Sequence, residues 1–223
     1  MSVSVKICGL TSREGAEAVA RAGADFGGLV FFPPSPRHLG LDQARSLAAL
    51  LRGRVRIVTL MVDPTDAQVN EVTAAIAPDL IQLHGKEAPA RVAEIARHTK
   101  RPIIKALAVA DSADIARAHA YEDVADFFLF DAKADPAATR PGGLGAAFDW
   151  QLLAGRSFRR PWGLAGGLTP ENVARAIRIA GPDFVDASSG VEDTPGKKSP
   201  EKIAAFVTAA RNAQYTDQKA GAA

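Results

Sequence analysis

Cys8 is the only cysteine in 223 residues, and it stands where the apolar run Val3 to Ile7 gives way to Gly9. Directly after it, Thr11-Ser12-Arg13-Glu14 reads as a capping box, in which a hydroxyl and a carboxylate three residues apart satisfy free N–H groups at a helix start. A thiol on such a strand-to-helix turn lies near the positive end of a helix dipole, where its pKa can fall and thiolate becomes available near neutral pH. Cys8 is therefore a candidate catalytic group; the bland alternative is a small buried hydrophobe, the common state of a free cysteine. Other apolar runs are followed by Arg37, Asp63, His84 with Gly85, and Asp131, while two more end in Gly166-Gly167 and Ser188-Ser189-Gly190. Gly166, Gly167, Ser189 and Gly190 suit a phosphate cradle of backbone N–H groups, against the simpler reading that paired glycines only permit tight turns.

The elements that must position these residues alternate along the whole chain. Strand-like runs occupy Val3 to Cys8, Phe26 to Phe31, Arg56 to Val62, Leu80 to Leu83, Ile103 to Ala106, Phe127 to Phe130, Trp162 to Ala165 and Phe184 to Ala187. Helical stretches lie between and after them: Ser12 to Ala22, Asp42 to Leu51, Thr65 to Ala77, Ala88 to Arg97, Ser112 to Ala120, Asp149 to Leu153, Pro170 to Ile179 and Pro200 to Asn212. Thr65 with Gln68 forms a second capping box, and Thr169-Pro170 and Ser199-Pro200 place a capping hydroxyl before a proline at the first helical position. Strands alternating with helices imply a parallel sheet, and this many repeats in under about 250 residues predict an α/β chain folded as a single closed (β/α)8 TIM barrel. An open doubly wound sheet would leave two or three runs unused.

One barrel domain is expected over residues 1–214, followed by a disordered tail at 215–223 that is small, polar and without periodicity. On this fold active sites lie at the carboxyl ends of the strands, and phosphate binds at the loops after strands seven and eight. The residues named above are the ones that follow the runs. Gly142-Gly143-Leu144-Gly145 lacks a dinucleotide fingerprint and reads as a mobile loop that closes over the site. Asp63 is expected to be structural, capping the helix that begins near Pro64.

Composition excludes several function classes. With 47% hydrophobic and 23% charged residues the chain is an ordinary globular one with a substantial core. A single cysteine rules out an internal disulfide framework, argues against a cysteine-based zinc or iron–sulfur site, and fits a reducing cytoplasm. The first residues lack a secretory pattern, and no apolar stretch reaches the roughly 20 residues of a membrane span. The 27 basic residues are scattered among 25 acidic ones for a net charge of +2, which argues against nucleic acid, and Arg156 to Arg160 reads as a solvated loop. Monomer and homodimer both remain open.

Taken together, the motifs resemble one known family, phosphoribosylanthranilate isomerase of tryptophan synthesis, over nearly the whole chain. The resemblance rests on Lys6-Ile7-Cys8-Gly9-Leu10-Thr11, Ser35-Pro36-Arg37, Gln82-Leu83-His84-Gly85, Asp131, the Gly142 to Gly145 run with Phe148-Asp149-Trp150, Leu164-Ala165-Gly166-Gly167-Leu168, and Ser188-Ser189-Gly190-Val191-Glu192. It implies a cofactor-free and metal-free Amadori rearrangement of N-(5-phosphoribosyl)anthranilate, a small phosphorylated sugar–anthranilate conjugate. It also implies that Asp131 is the general acid opening the furanose ring and Cys8 the general base taking the proton from C2. An acid in this role needs an apolar setting, which Phe127-Phe128-Leu129-Phe130 is expected to supply, while a helix N-terminus or Lys6 would help ionise the thiol. Arg37 would grip the anthranilate carboxylate, and His84 would either meet the substrate or brace the barrel rim. Pro34 and His38 depart from the family pattern, in which a lysine and an aromatic residue are usual around Ser-Pro-Arg. The alternatives are a histidine-pathway phosphosugar isomerase, which uses aspartate after strand one, a dual-specificity enzyme, and a catalytically silent phosphosugar-binding barrel.

Overall fold

A computed structural model of the chain describes residues 3–133 and 148–213, so the expected Gly142 to Gly145 loop and the 215–223 tail lie outside the described residues. Eight parallel strands close into a barrel in sequence order, as the alternation predicts. They are β1 (Ser4–Cys8), β2 (Phe26–Phe31), β3 (Arg56–Met61), β4 (Leu80–Leu83), β5 (Ile103–Val109), β6 (Phe127–Ala132), β7 (Trp162–Leu164) and β8 (Phe184–Ala187). Outside them lie α1 (Arg13–Ala22), α2 (Leu41–Leu51), α3 (Asp66–Ile76), α4 (Pro89–Thr99), α5 (Ser112–Ala116), α6 (Val173–Ala180) and α7 (Pro200–Arg211). After β6 the described helical layer is one 3-10 turn, Trp150–Leu153. There Phe158 packs on Phe130 and Trp162, with ring centroids 5.2 and 6.2 Å away. Arg159 lies in an exposed loop, as expected, and its side chain pairs with Glu122 and Asp123 at 2.8 and 2.9 Å.

Strand side chains alternate between two environments. One parity packs outward against the helices and includes Ile7, Leu29, Ile57, Ile81, Phe128, Phe130 and Val185. The other fills the barrel with Phe26, Val58, Leu80, Ile104, Leu129 and Phe184. Followed towards the strands' carboxyl ends, this inward parity carries Lys6, Cys8, Gln82, His84, Asp131, Asp186 and Ser188.

Several helix starts differ from expectation. The α1 cap is Ser12, whose Oγ accepts from the Gly15 N–H at 3.1 Å, whereas the Thr11 hydroxyl donates to the Gly196 carbonyl. The predicted box is thus replaced by a single Ser12 cap one residue later, because a tertiary contact claims Thr11 and Gly15 has no side chain to reciprocate. The Thr65–Gln68 box forms as predicted. At Thr169-Pro170 the chain makes a turn instead, and α6 starts at Val173. Pro200 does open α7, but the Ser199 hydroxyl donates to Glu201 and caps nothing. Among the described residues no helix is long and apolar enough to cross a membrane.

Candidate active site

The carboxyl ends of the strands surround one pocket, and all eight sequence-predicted residues line it: Cys8, Arg37, His84, Asp131, Gly166, Gly167, Ser189 and Gly190. Gln82, Asp186 and Ser188 also line it. Sequence reasoning gave Asp186 no role, although its signal was present: like Asp131, it is an acid in an otherwise apolar strand with inward parity.

Cys8 ends β1 almost fully buried, and two buried charges stand below it. The Lys6 ammonium donates to Asp186 Oδ2 at 2.8 Å, and Asp186 Oδ1 is buried with no hydrogen-bond partner among the described residues. Burial works against the Lys6 charge, but Asp186 and Cys8 outweigh it and hold the ammonium above the usual lysine value. For Cys8 the balance runs the other way. Burial pushes the thiol above its usual value, and Lys6 offsets this only in part. The expected lowering by the α1 dipole is therefore not seen; the helix begins at Arg13, and the N–H groups of Gly9 and Leu10 are already spent on the Gly28 carbonyl.

Across the pocket Asp131 belongs to a hydrogen-bonded chain. Gln82 Nε2 lies 2.8 Å from His84 Nδ1. On the other side of the ring, His84 Nε2 faces Asp131 Oδ2 at 3.2 Å. His84 thus braces a side chain at the rim. Only part of the apolar run expected to surround Asp131 does so, because Phe128 and Phe130 face the helices while Phe127 and Leu129 share its inward parity.

The loop that carries His84 is pinned from behind. Buried Glu87 accepts the Asp63 and Gly85 N–H groups at 2.9 and 3.0 Å and meets Lys105 Nζ at 2.7 Å. Asp63 does not cap α3; its Oδ1 accepts the Lys86 N–H at 2.7 Å and joins the β3 and β4 loops.

Arg37 reaches the pocket across the turn after Cys8. Gly9 there has a left-handed φ of 78°, and a Cβ on it would overlap the Arg37 side chain. Both oxygens of Glu192 already hold one edge of the guanidinium, with Nε and Nη2 donating at 2.7 and 2.8 Å. The face left for a ligand is Nη1, for which the structure gives no partner among the described residues. The opposite wall is the glycine cradle. Gly166 and Gly167 take φ of 86° and 63°, and a Cβ on Gly190 would collide with the Leu168 carbonyl, which fixes the close approach of the two loops. Backbone N–H groups on these loops can meet a phosphate without any cation.

A family model described as N-(5'-phosphoribosyl)anthranilate isomerase matches residues 5–209. The chain is 51% identical to the N-(5'-phosphoribosyl)anthranilate isomerase of Bradyrhizobium diazoefficiens, over 98% of each chain. The crystal structure of phosphoribosyl anthranilate isomerase from Thermotoga maritima superposes with a TM-score of 0.85 at 37% identity, covering 93% of this chain and 98% of that one. A phosphoribosyl anthranilate isomerase in complex with reduced 1-(o-carboxyphenylamino)-1-deoxyribulose 5-phosphate superposes with a TM-score of 0.80 at 34% identity, covering 93% and 98%. A closed barrel with a thiol and a carboxyl at one mouth is common ground for many chemistries, but identity of this extent is not, and the chain belongs to the phosphoribosylanthranilate isomerase family.

Proposed function

We propose that the chain, acting as one catalytic unit over residues 1–214, converts N-(5-phosphoribosyl)anthranilate to 1-(2-carboxyphenylamino)-1-deoxyribulose 5-phosphate, a step of tryptophan synthesis. One observation carries the assignment of roles: Cys8 and Asp131 line the same pocket from β1 and β6, with Arg37 and the glycine cradle also at its walls. Asp131 gives its proton to the furanose oxygen as the C1–O bond breaks and the nitrogen lone pair forms C1=N. His84 Nε2 then faces the carboxylate that remains. The Cys8 thiolate takes the proton from C2, and the electrons of that bond form C1=C2 and neutralise the nitrogen. The resulting enolamine gains a proton at C1 and loses one from the C2 hydroxyl, which leaves the ketone. No electrons leave the substrate, so the proton transfers need no cofactor.

Arg37 meets the anthranilate carboxylate through its free face, and the cradle of Gly166, Gly167, Ser189 and Gly190 holds the phosphate. The ligand held by the related isomerase carries a carboxylate on its phenylamino ring and a phosphate on its sugar chain, and we assign the same class of ligand to this pocket.

The test is turnover of freshly made phosphoribosylanthranilate, followed by loss of its fluorescence. Cys8→Ala and Asp131→Ala should each lower kcat by about 10²- to 10⁴-fold with the fold intact, whereas Arg37→Ala should chiefly raise KM. Near-normal kcat in either of the first two variants refutes the acid and base assignment.

A further inference from the structure

We propose that Lys198 is a specificity-determining residue, which keeps the Arg37–Glu192 pair an anion receptor and so makes the pocket select an arylamine that bears a carboxylate. The inference rests on the reading that Arg37 meets that carboxylate. It begins from a conflict in the geometry. A guanidinium gripped by both oxygens of a carboxylate is, as a unit, neutral, and here the grip is complete at 2.7 and 2.8 Å. A second carboxylate that approaches Nη1 is attracted by Arg37 and repelled by Glu192 a few ångströms farther off. In a site of intermediate dielectric that repulsion removes about half of the attraction.

Lys198 resolves the conflict. Its Nζ lies 2.7 Å from Glu192 Oε1, and its side chain is fully buried, as is nearly all of Glu192. Two cations around one anion leave a net charge of +1 behind the free face of Arg37. Burial pulls Lys198 below the usual lysine value and Glu192 opposes this. Its surroundings nevertheless suit an ammonium, since Ser188 offers a carbonyl at 3.0 Å and a hydroxyl at 3.4 Å besides the carboxylate. The local fold is built to make this contact. After β8 the chain forms a short antiparallel hairpin, β9 (Glu192–Thr194) and β10 (Lys197–Lys198), in which Lys198 and Glu192 are register partners. Neither residue lines the pocket, so both reach a bound carboxylate through Arg37, although Lys198 also holds the pocket residue Ser188 and lies close enough to Cys8 to favour its thiolate. A buried lysine is a poor choice for packing alone, because an apolar side chain of similar volume would serve as well or better.

The test uses the full chain and two stable ligands: reduced 1-(2-carboxyphenylamino)-1-deoxyribulose 5-phosphate, and its phenylamino counterpart without the carboxylate. Calorimetric titration of Lys198→Met should show about tenfold weaker binding of the carboxylated ligand, with less than about twofold change for the other. Glu192→Gln/Lys198→Met restores the net +1 and should recover the carboxylated ligand to within about threefold of the parent. Glu192→Gln alone, which serves if Lys198→Met does not fold, should not weaken that ligand. Equal losses for both ligands, additive damage in the double variant, or weaker binding in Glu192→Gln would each overturn the proposal. Arg37→Ala separates the two readings. If it weakens the carboxylated ligand selectively while Lys198→Met does not, only this inference fails; if it weakens both ligands equally, the placement of the carboxylate fails first.

Discussion

Replacing Lys105 with methionine isolates one buried charge. Lys105 Nζ lies 2.7 Å from Glu87 Oε2, and both side chains are 1% exposed. The ammonium also donates to the Gly85 carbonyl at 2.8 Å. Methionine fills most of the volume but leaves the Glu87 carboxylate with only the Asp63 and Gly85 N–H groups, and the Gly85 carbonyl without this donor. Breaking a buried pair from one side costs about 3–5 kcal/mol, and the two remaining N–H bonds favour the lower end, about 3 kcal/mol. At about 2–4 °C per kcal/mol for a chain of this length, the melting midpoint should fall by about 6–12 °C. Urea unfolding followed by circular dichroism would measure the loss directly, with an unchanged m-value showing that the native state keeps its compactness. Glu87→Gln/Lys105→Met removes both charges and should regain at least half of it. A single variant within about 1 kcal/mol of the parent, or a double variant no better than the single, would refute the reasoning.

Three further outcomes follow from the geometry. Because burial raises the Cys8 pKa and only thiolate acts as a base, kcat/KM should climb with pH through a limb above the ordinary thiol value of about 8.5. Lys6→Met should move that limb up and Asp186→Asn should move it down, since the cation lowers and the anion raises the thiol; a parental limb below pH 7, or shifts of the same sign, would contradict this. Gly9→Ala forces a side chain onto a left-handed backbone and into Arg37, so the carboxylated product analogue should bind more weakly while β1 keeps its place; unchanged affinity in a binding titration would count against the arrangement. Gly163→Ala pushes a methyl into the Phe184 ring inside the barrel and should cost about 1–3 kcal/mol in thermal melts, with kcat/KM at 25 °C close to the parent because the ring lies in the apolar interior layer.

The barrel was readable from the sequence because its signals are local. Each strand is a short apolar run, and most helix starts carry a hydroxyl or a proline within a few residues. Inward and outward parity follows from counting by two from Phe26 or Leu80. What the sequence hid depends on partners far along the chain. Thr11 looks like a cap until Gly196 claims its hydroxyl, and the cap then moves to Ser12, where Gly15 leaves no side chain to complete a box. Arg37 could be placed at the pocket, but not the Glu192 that holds it from 155 residues away. Asp186 sits 180 residues from Lys6, and no spacing rule joins them. The thiol's raised pKa was missed for a related reason: burial is set by the closed sheet, whereas the helix start that seemed to lower it is a neighbour in sequence only.

The placement of the buried charges separates stability from function along the barrel axis. Inside the barrel Phe26, Val58, Leu80, Ile104 and Phe184 pack together as an apolar cluster. Above it and around the mouth stand three buried lysines, each against a carboxylate: Lys6 with Asp186, Lys105 with Glu87, and Lys198 with Glu192. Such pairs return little net stability, because desolvation of two ions consumes most of their attraction, and apolar replacements of equal volume are often as stable or better. Their common property is position rather than strength. The first underlies Cys8, the second pins the loop that carries His84, and the third backs Arg37. Selection for stability alone would not put three ion pairs beneath three residues at one pocket, whereas the proposed roles of Cys8, His84 and Arg37 at that pocket give countercharges buried close behind them a use.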